Sequence, residues 1–135
     1  MAMQNYEQIR AKNALAAAPS IGLGNEGGRA VAKKVPAQIV QDGFLGALAF
    51  AIEKSENGKD IKNGYGNTFK AIMRHLPDVG KDYGLCAEND LQKFLNKLCA
   101  QSPDVLRVIT GESIAYLNYL RRFAKPGKGE ENQGD

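Results

Sequence analysis

The sequence predicts an all-α fold, a single-domain bundle of five to six helices with a kinked second helix. Apolar residues recur at the i, i+3, i+4, i+7 spacing of buried helix faces, and no alternating strand pattern of convincing length occurs. Segments rich in Gly, Asn and Asp separate the helical stretches. The 135 residues, 43% hydrophobic and 24% charged, are enough for one globular core. We assign residues 1–125 to this domain and predict a disordered C-terminal tail over 126–135.

The first two helices are delimited by prolines and loop residues. The first is predicted from about Asn5 to Ala18, where Pro19 ends it. The second runs from near Glu26 to Lys54, and Pro36 inside it should kink or restart it, since proline lacks an N–H and clashes with the preceding turn. The apolar run 44–52 is shorter than the ~20 residues that cross a bilayer. We therefore expect a buried helix and no membrane contact.

Three further helices follow. The third is predicted from about Gly64 to Leu76. Asn89 can cap the fourth, with Gln92 completing a capping box. Ser102-Pro103-Asp104 starts the fifth, which continues to about Ala124, because serine caps, proline suits the first position and an acid suits the first turn. The fourth helix carries one apolar face, which we expect to pack in the core: Leu91, Phe94, Leu95, Leu98 and Cys99.

Catalytic and metal sites are not indicated. His75 is the single histidine, and Cys86 and Cys99 are the only cysteines, so a triad or a structural zinc site lacks ligands. Residues 22–27 fit GxGxxG loosely, but no predicted strand precedes them. Glu112 is interpreted as a solvated or capping charge, and His75 as a half-buried residue at a helix end. We expect no enzyme and no cofactor.

The basic residues are the candidate binding groups. A net charge of +3 permits nucleic-acid binding without proving it. Basic side chains at helical spacing suit a phosphate backbone, whereas ordinary solvating charges with snorkelling stems are the simpler interpretation of each one. Two free thiols, with no apolar leader in residues 1–24, predict a cytoplasmic protein. The candidate nucleic-acid-binding residues are Arg10, Lys12, Lys33, Lys34, Lys70, Arg74, Arg107, Arg121 and Arg122.

Four segments, taken in order, resemble a known family. They are QIRAKNA at 8–14, VAKKVP at 31–36, GFLGALAF at 43–50 and LNYLRRFA at 117–124. The chain from residue 6 to 125 is similar to the small α-helical subunit of type III-B CRISPR effector complexes, the fifth subunit of the RAMP module. Tyr119 stands where the family pattern has tryptophan.

This resemblance implies a non-catalytic structural subunit in antiviral defence. Its implied partners are guide RNA, target RNA, other subunits of the RAMP module, and copies of itself stacked head to tail along a filament. It would hold the RNA through backbone contacts. Head-to-tail stacking needs two different surfaces, for which the exposed side of the last helix and the entrance of the second are candidates.

Two other classes of function compete with an RNA-holding subunit. A helical protein-binding scaffold without direct RNA contact stays open as the alternative. A helix-turn-helix DNA regulator needs a short turn between two helices, and the loops predicted at 55–63 and 77–89 are too long for that arrangement.

Overall fold

The computed structural model describes residues 5–21, 28–56, 64–85 and 90–124. Helices account for nearly all of these residues, and no strand occurs among them, so the predicted all-α fold is confirmed. The predicted tail, 126–135, lies outside the described residues, and the division of the chain at residue 125 stays a prediction. The five α-helices are α1 (Tyr6–Ala17), α2 (Gly28–Glu56), α3 (Tyr65–His75), α4 (Leu91–Cys99) and α5 (Pro103–Phe123).

Helix α1 has a capping box and little apolar burial. Asn5 Oδ1 accepts a hydrogen bond from the Gln8 backbone N–H at 2.8 Å, and Gln8 Oε1 accepts one from the Asn5 backbone N–H at 2.9 Å. The helix ends in a 3₁₀ turn, Ala18–Ser20, that contains Pro19. Within α1 only Ala14 is buried. Apolar contact is therefore a small part of what attaches this helix to the bundle.

Helix α2 is interrupted at Gly43 rather than at Pro36. The φ of Gly43 is 82° and its ψ is 162°, a backbone conformation that is almost restricted to glycine. A Cβ at this position would meet no atom within 4 Å, so the backbone and not the available space requires glycine here. Pro36 lies inside the helix. Proline loses one hydrogen bond but keeps a helical φ, whereas the φ of Gly43 cannot continue a helix.

Helix α2 is also the most apolar helix of the chain. Its section Val31–Lys54 has a mean hydropathy of 1.4 and is long enough to span a membrane, a test that core helices of soluble proteins also pass. Here Leu48 and Ala51 are fully buried, and Phe44 is 4% exposed. The helix contacts α3, α4 and α5 extensively. We therefore describe α2 as the core helix of the bundle.

Short polar side chains set the starts of α4 and α5. The Asp90 carboxylate accepts hydrogen bonds from the backbone N–H groups of Gln92 and Lys93, at 2.9 and 3.3 Å. The cap of α4 is therefore Asp90; the predicted cap, Asn89, lies outside the described residues. Ser102 Oγ accepts from the backbone N–H three residues further on, at 3.3 Å, as its sequence predicts.

The apolar core lies where α2 meets α3, α4 and α5. The Phe44 ring packs edge-to-face on Phe69 and Phe94, with centroids 5.5 and 6.3 Å away. Helix α5 has its most extensive contacts with α2 on one side and α1 on the other. One face of α5 therefore closes the core, and another meets the polar face of α1.

Two apolar residues at helix ends are exposed, and one of them, Cys99, was assigned to the apolar face of its helix. Cys99 is exposed, and Phe123 is 37% exposed. Each is the last residue of its helix. On α4 the inward face is set by Leu91, Phe94 and Leu98, and the next position turns away from it by about 100°. The expectation that Cys99 packs in the core was wrong.

Candidate nucleic-acid interface

A buried carboxylate joins α1, α3 and α5. Glu112, near the middle of α5, is 5% exposed. Its Oε1 accepts a hydrogen bond from Arg10 Nη2 at 2.7 Å, and its Oε2 accepts one from Arg10 Nε at 2.8 Å. His75 Nε2 lies 2.9 Å from the same Oε2. This bidentate arginine–carboxylate pair is a strong and orientation-specific contact, and with His75 it ties three helices together.

The structure corrects the interpretation of both the acid and the histidine. Glu112 is not a solvated or capping charge, and His75, at 1% exposure, is buried rather than half-buried. Glu112 stands three residues after Ile109 and four before Tyr116, both of which are buried. Residues at these spacings share a helix face. The sequence therefore already placed this acid on the apolar face of α5, where an ionised group needs a partner.

The network determines the ionisation of Glu112. Burial opposes the charged form, but hydrogen bonds and positive charge from Arg10, together with the hydrogen bond from His75, outweigh it and lower the pKa of Glu112 to about 2. The hydrogen bond to Glu112 in turn raises the pKa of Arg10. At neutral pH the two groups are a neutralised ion pair.

The other side of the His75 ring is fixed by Asn13 and Asp78. Asn13 Nδ2 donates to Asp78 Oδ2 at 3.0 Å and lies 2.9 Å from His75 Nδ1. A carboxylate only accepts, so it orients the Asn13 NH₂ group toward itself and toward the ring. His75 Nδ1 therefore accepts, and Nε2–H donates to Glu112. The ring also stacks on Tyr116, with centroids 4.3 Å apart and planes 12° apart.

An open groove lies between α1 and the C-terminal half of α5. We call it the arginine groove; its volume is about 520 Å³, and it is lined by Arg10, Ala115, Asn118, Tyr119, Arg121 and Arg122. A guanidinium has five N–H donors. Glu112 takes only two from Arg10, so Arg10 keeps donors for the groove although its charge is neutralised.

Arg121 lines the arginine groove and also has one unsatisfied donor. Its Nε is buried and has no hydrogen-bond partner within the described part of the chain. A buried donor without an acceptor costs about 1–3 kcal/mol, and more when it is charged. Its neighbour Arg122 is exposed. Two guanidinium groups beside the amide of Asn118 suit an anion with several acceptor oxygens, such as a phosphate.

The structure brings three of the nine candidate cations together. Arg10, Arg121 and Arg122 line the arginine groove, and Arg74 lines a separate pocket between α1 and α3. Arg107 forms an ion pair with Asp104 on its own helix. Of the six that do not line the groove, Lys70 is half-buried and the others are exposed: Lys12, Lys33, Lys34, Arg74 and Arg107.

The sequence of this chain is similar to a known protein family. The family model described as CRISPR-associated protein (Cas_Cmr5) matches residues 6–126, a range that contains all five helices and the arginine groove. No curated protein and no solved structure matches the chain significantly. Because the family match spans well over half of the chain, the protein belongs to the Cas_Cmr5 family, the small subunits of the type III-B CRISPR complex.

Proposed function

We propose that this subunit is a non-catalytic element that holds RNA in a cytoplasmic type III-B complex acting in antiviral defence. Membership of the family makes other subunits of the complex its partners. In RNA-guided complexes base pairing supplies sequence specificity, and protein contacts the backbone. The open groove lined by Arg10, Arg121 and Arg122 is the observation that supports RNA contact most directly.

A phosphate in the arginine groove would meet several donors. Its oxygens would accept from the guanidinium groups of Arg121 and Arg122, which both line the groove. Desolvation, and then a hydrogen bond to Glu7, raises the pKa of Tyr119, so its phenol keeps its proton and donates it to Glu7 rather than to a phosphate. Arg10 adds N–H groups without net charge, since Glu112 neutralises it. None of these groups reads a base edge, which suits an A-form duplex addressed through its backbone.

Charge reversal tests this site in the reconstituted complex. Arg122→Glu should weaken retention of target RNA at least tenfold in filter binding, because a phosphate contact becomes a repulsion. It should also reduce the salt dependence of log K by roughly 0.7 to 0.9. Lys93→Glu, an equal charge change at an exposed position of α4, is the control. Equal retention by the two variants would remove the arginine groove from the RNA-binding surface.

Head-to-tail stacking of copies is the second part of the proposal. Two unlike surfaces support it: Val40 on α2 is 76% exposed, and a shallow, mostly apolar concavity of about 510 Å³ lies on α5 around Leu106 and Gly111. Unlike surfaces on different helices suit a contact that does not close into a ring. Val40→Asp should lower the number of copies per complex in native mass spectrometry. Leu15→Asp, at another exposed apolar position on α1, should leave it unchanged.

A protein-binding scaffold without RNA contact is the second candidate. Two observations favour it: Arg10 and Arg107 are paired with carboxylates of the same chain. Ultraviolet cross-linking of the assembled complex separates the two functions. Cross-links from RNA to residues near the arginine groove support RNA holding, whereas cross-links to protein alone support the scaffold.

A further inference from the structure

We propose that the pocket between α1 and α3 binds one unpaired guanine base of RNA, an inference that rests on the proposed RNA-holding function. The volume of this pocket, which we call the alanine pocket, is about 230 Å³. Sites for drug-sized ligands occupy roughly 300–1,000 Å³, so this one suits a single ring system. Its lining includes Asn13, Ala16, Ala71, Arg74, Asp78 and Tyr116.

The walls of the alanine pocket are small and its floor is rigid. Ala16 on α1 and Ala71 on α3 both line it, and their short side chains leave room between the helices. The floor is the stacked pair of His75 and Tyr116, which the hydrogen bonds to Glu112 and Asn13 hold in place. A planar ring entering this pocket meets side chains that are already ordered, so little entropy is lost there on binding.

The lining includes one cation and one anion. Arg74 is exposed and has no hydrogen bond or ion pair with any described residue. Asp78 lies in the 3₁₀ turn Leu76–Val79 that follows α3, and it lines the same pocket. Its Oδ2 accepts from Asn13 at 3.0 Å, which orients the carboxylate and leaves lone pairs available. A ligand must therefore offer donors to Asp78 and acceptors to Arg74.

Guanine meets both requirements. Its O6 and N7 are adjacent acceptors, which arginine contacts in a bidentate way. Its N1–H and N2–H₂ groups are adjacent donors for a carboxylate. Adenine has N7 but no O6 and offers a single amino group, and pyrimidines lack N7. Guanine is therefore the base whose edges match Arg74 and Asp78 together.

The alanine pocket and the arginine groove are neighbours on α1. Arg10 lines the groove and Asn13 lines the pocket, one turn apart, or about 5 Å along the helix axis. Glu112 connects the groove to the pocket, since it binds Arg10 directly and contacts Asn13 through His75. A strand whose phosphates lie in the groove can then place one unpaired base in the pocket.

The first test compares single bases on a constant backbone. Short uridine oligomers carrying one central guanosine, inosine or adenosine are titrated into the full-length subunit by fluorescence anisotropy. We expect guanosine to bind about tenfold tighter than adenosine, because bonds to charged groups are lost. Inosine, which lacks only the N2 amino group, should fall between them. Equal affinity for all three oligomers would overturn the proposal.

Variants of the lining residues test whether a preference for guanosine arises in the alanine pocket. Asp78→Asn should abolish the advantage of guanosine over adenosine, because an amide cannot accept two N–H groups side by side. Ala16→Leu should abolish it by filling the pocket from an exposed position. Ala49→Leu, at an exposed position of α2, is the matched control, and circular dichroism checks that each variant is folded. A preference for guanosine that survives Ala16→Leu would overturn the proposal.

A second measurement keeps this proposal separate from the RNA-holding function. Guanosine alone carries no phosphate and cannot occupy the arginine groove through charge. In NMR titrations it should shift the amide resonances of Ala16 and Arg74 more than adenosine does. If no oligomer binds but guanosine gives these shifts, RNA holding fails and the base pocket stands. If guanosine gives no shifts and Asp78 cross-links to another subunit, a protein side chain occupies the pocket and the proposal is wrong.

Discussion

Arg10 and Arg121 line the same groove and have different surroundings. Arg10 donates to a buried carboxylate at 2.7 and 2.8 Å. Arg121 has a buried Nε with no acceptor within the described ranges. The first arginine is already neutralised and attaches α1 to α5, whereas the second lines the groove without satisfying its own Nε. Two arginines on one surface can therefore have a structural role and a binding role, and the position of a single buried acid decides which is which.

Removing that acid should have the largest effect. Glu112→Gln removes the counter-charge of Arg10, which is partly buried. It also gives His75 a weaker hydrogen-bond acceptor. Breaking a buried pair from one side costs about 3 kcal/mol, and urea unfolding followed by circular dichroism measures it. Glu53→Gln, at an exposed position of α2, should change the free energy of unfolding by less than about 0.5 kcal/mol. Equal effects of the two substitutions would show that the ion pair does not attach α1.

Acid should weaken the same contact without any substitution. The pKa of Glu112 is about 2 in the folded protein against an ordinary value of 4.5. A lowered pKa stabilises the folded state fully above the ordinary value, and this stabilisation is lost as the pH falls toward 2. Between pH 6 and pH 3 the wild-type protein should lose about 2 kcal/mol more than Glu112→Gln does. Parallel pH profiles of unfolding free energy for the two proteins would contradict this.

The sequence predicted the positions of the helices better than the contacts between them. The Asn5 and Ser102 caps each bind a backbone N–H three positions away, so the starts of α1 and α5 follow from local chemistry. The interruption at Gly43 depends on one left-handed φ, which the sequence permits but does not demand. Pro36 was the more conspicuous feature of this helix, and the kink predicted there was in the wrong place.

The groove and the network required the packing of distant segments. Arg10 and Glu112 are far apart in the chain, and nothing in the composition pairs them. The position of Glu112 on an apolar helix face predicts a buried partner, but several cations were available to fill that role. Only the contact of α1 with α5 selects Arg10. For the same reason the sequence could name Arg10, Arg121 and Arg122 as cations without showing that they share a groove.

A neutral hydrogen bond in the network should matter less than the ion pair. The Tyr116 hydroxyl donates to the Asn13 carbonyl at 3.4 Å, a long contact. Burial raises the pKa of Tyr116, so no charge is involved at neutral pH. Tyr116→Phe keeps the stack on His75 and should cost no more than about 1 kcal/mol. Tyr83→Phe, at an exposed position, is the control. A loss of unfolding free energy as large as that caused by Glu112→Gln would show that the hydroxyl stabilises the fold as much as the ion pair does.

The smallest change in stability is expected at the exposed arginine, and it separates the two roles most clearly. Arg122→Gln removes a solvated charge, so the free energy of unfolding should change by less than about 0.5 kcal/mol. The salt dependence of RNA binding should nevertheless fall by roughly 0.7 to 0.9 in log K, since one phosphate contact is lost. Arg10→Gln should show the reverse pattern, a clear loss of stability with the salt dependence nearly unchanged, because the charge of Arg10 is already neutralised by Glu112. If both variants reduce the salt dependence equally, the ion pair opens when RNA binds, and the distinction between the two arginines does not hold in the complex.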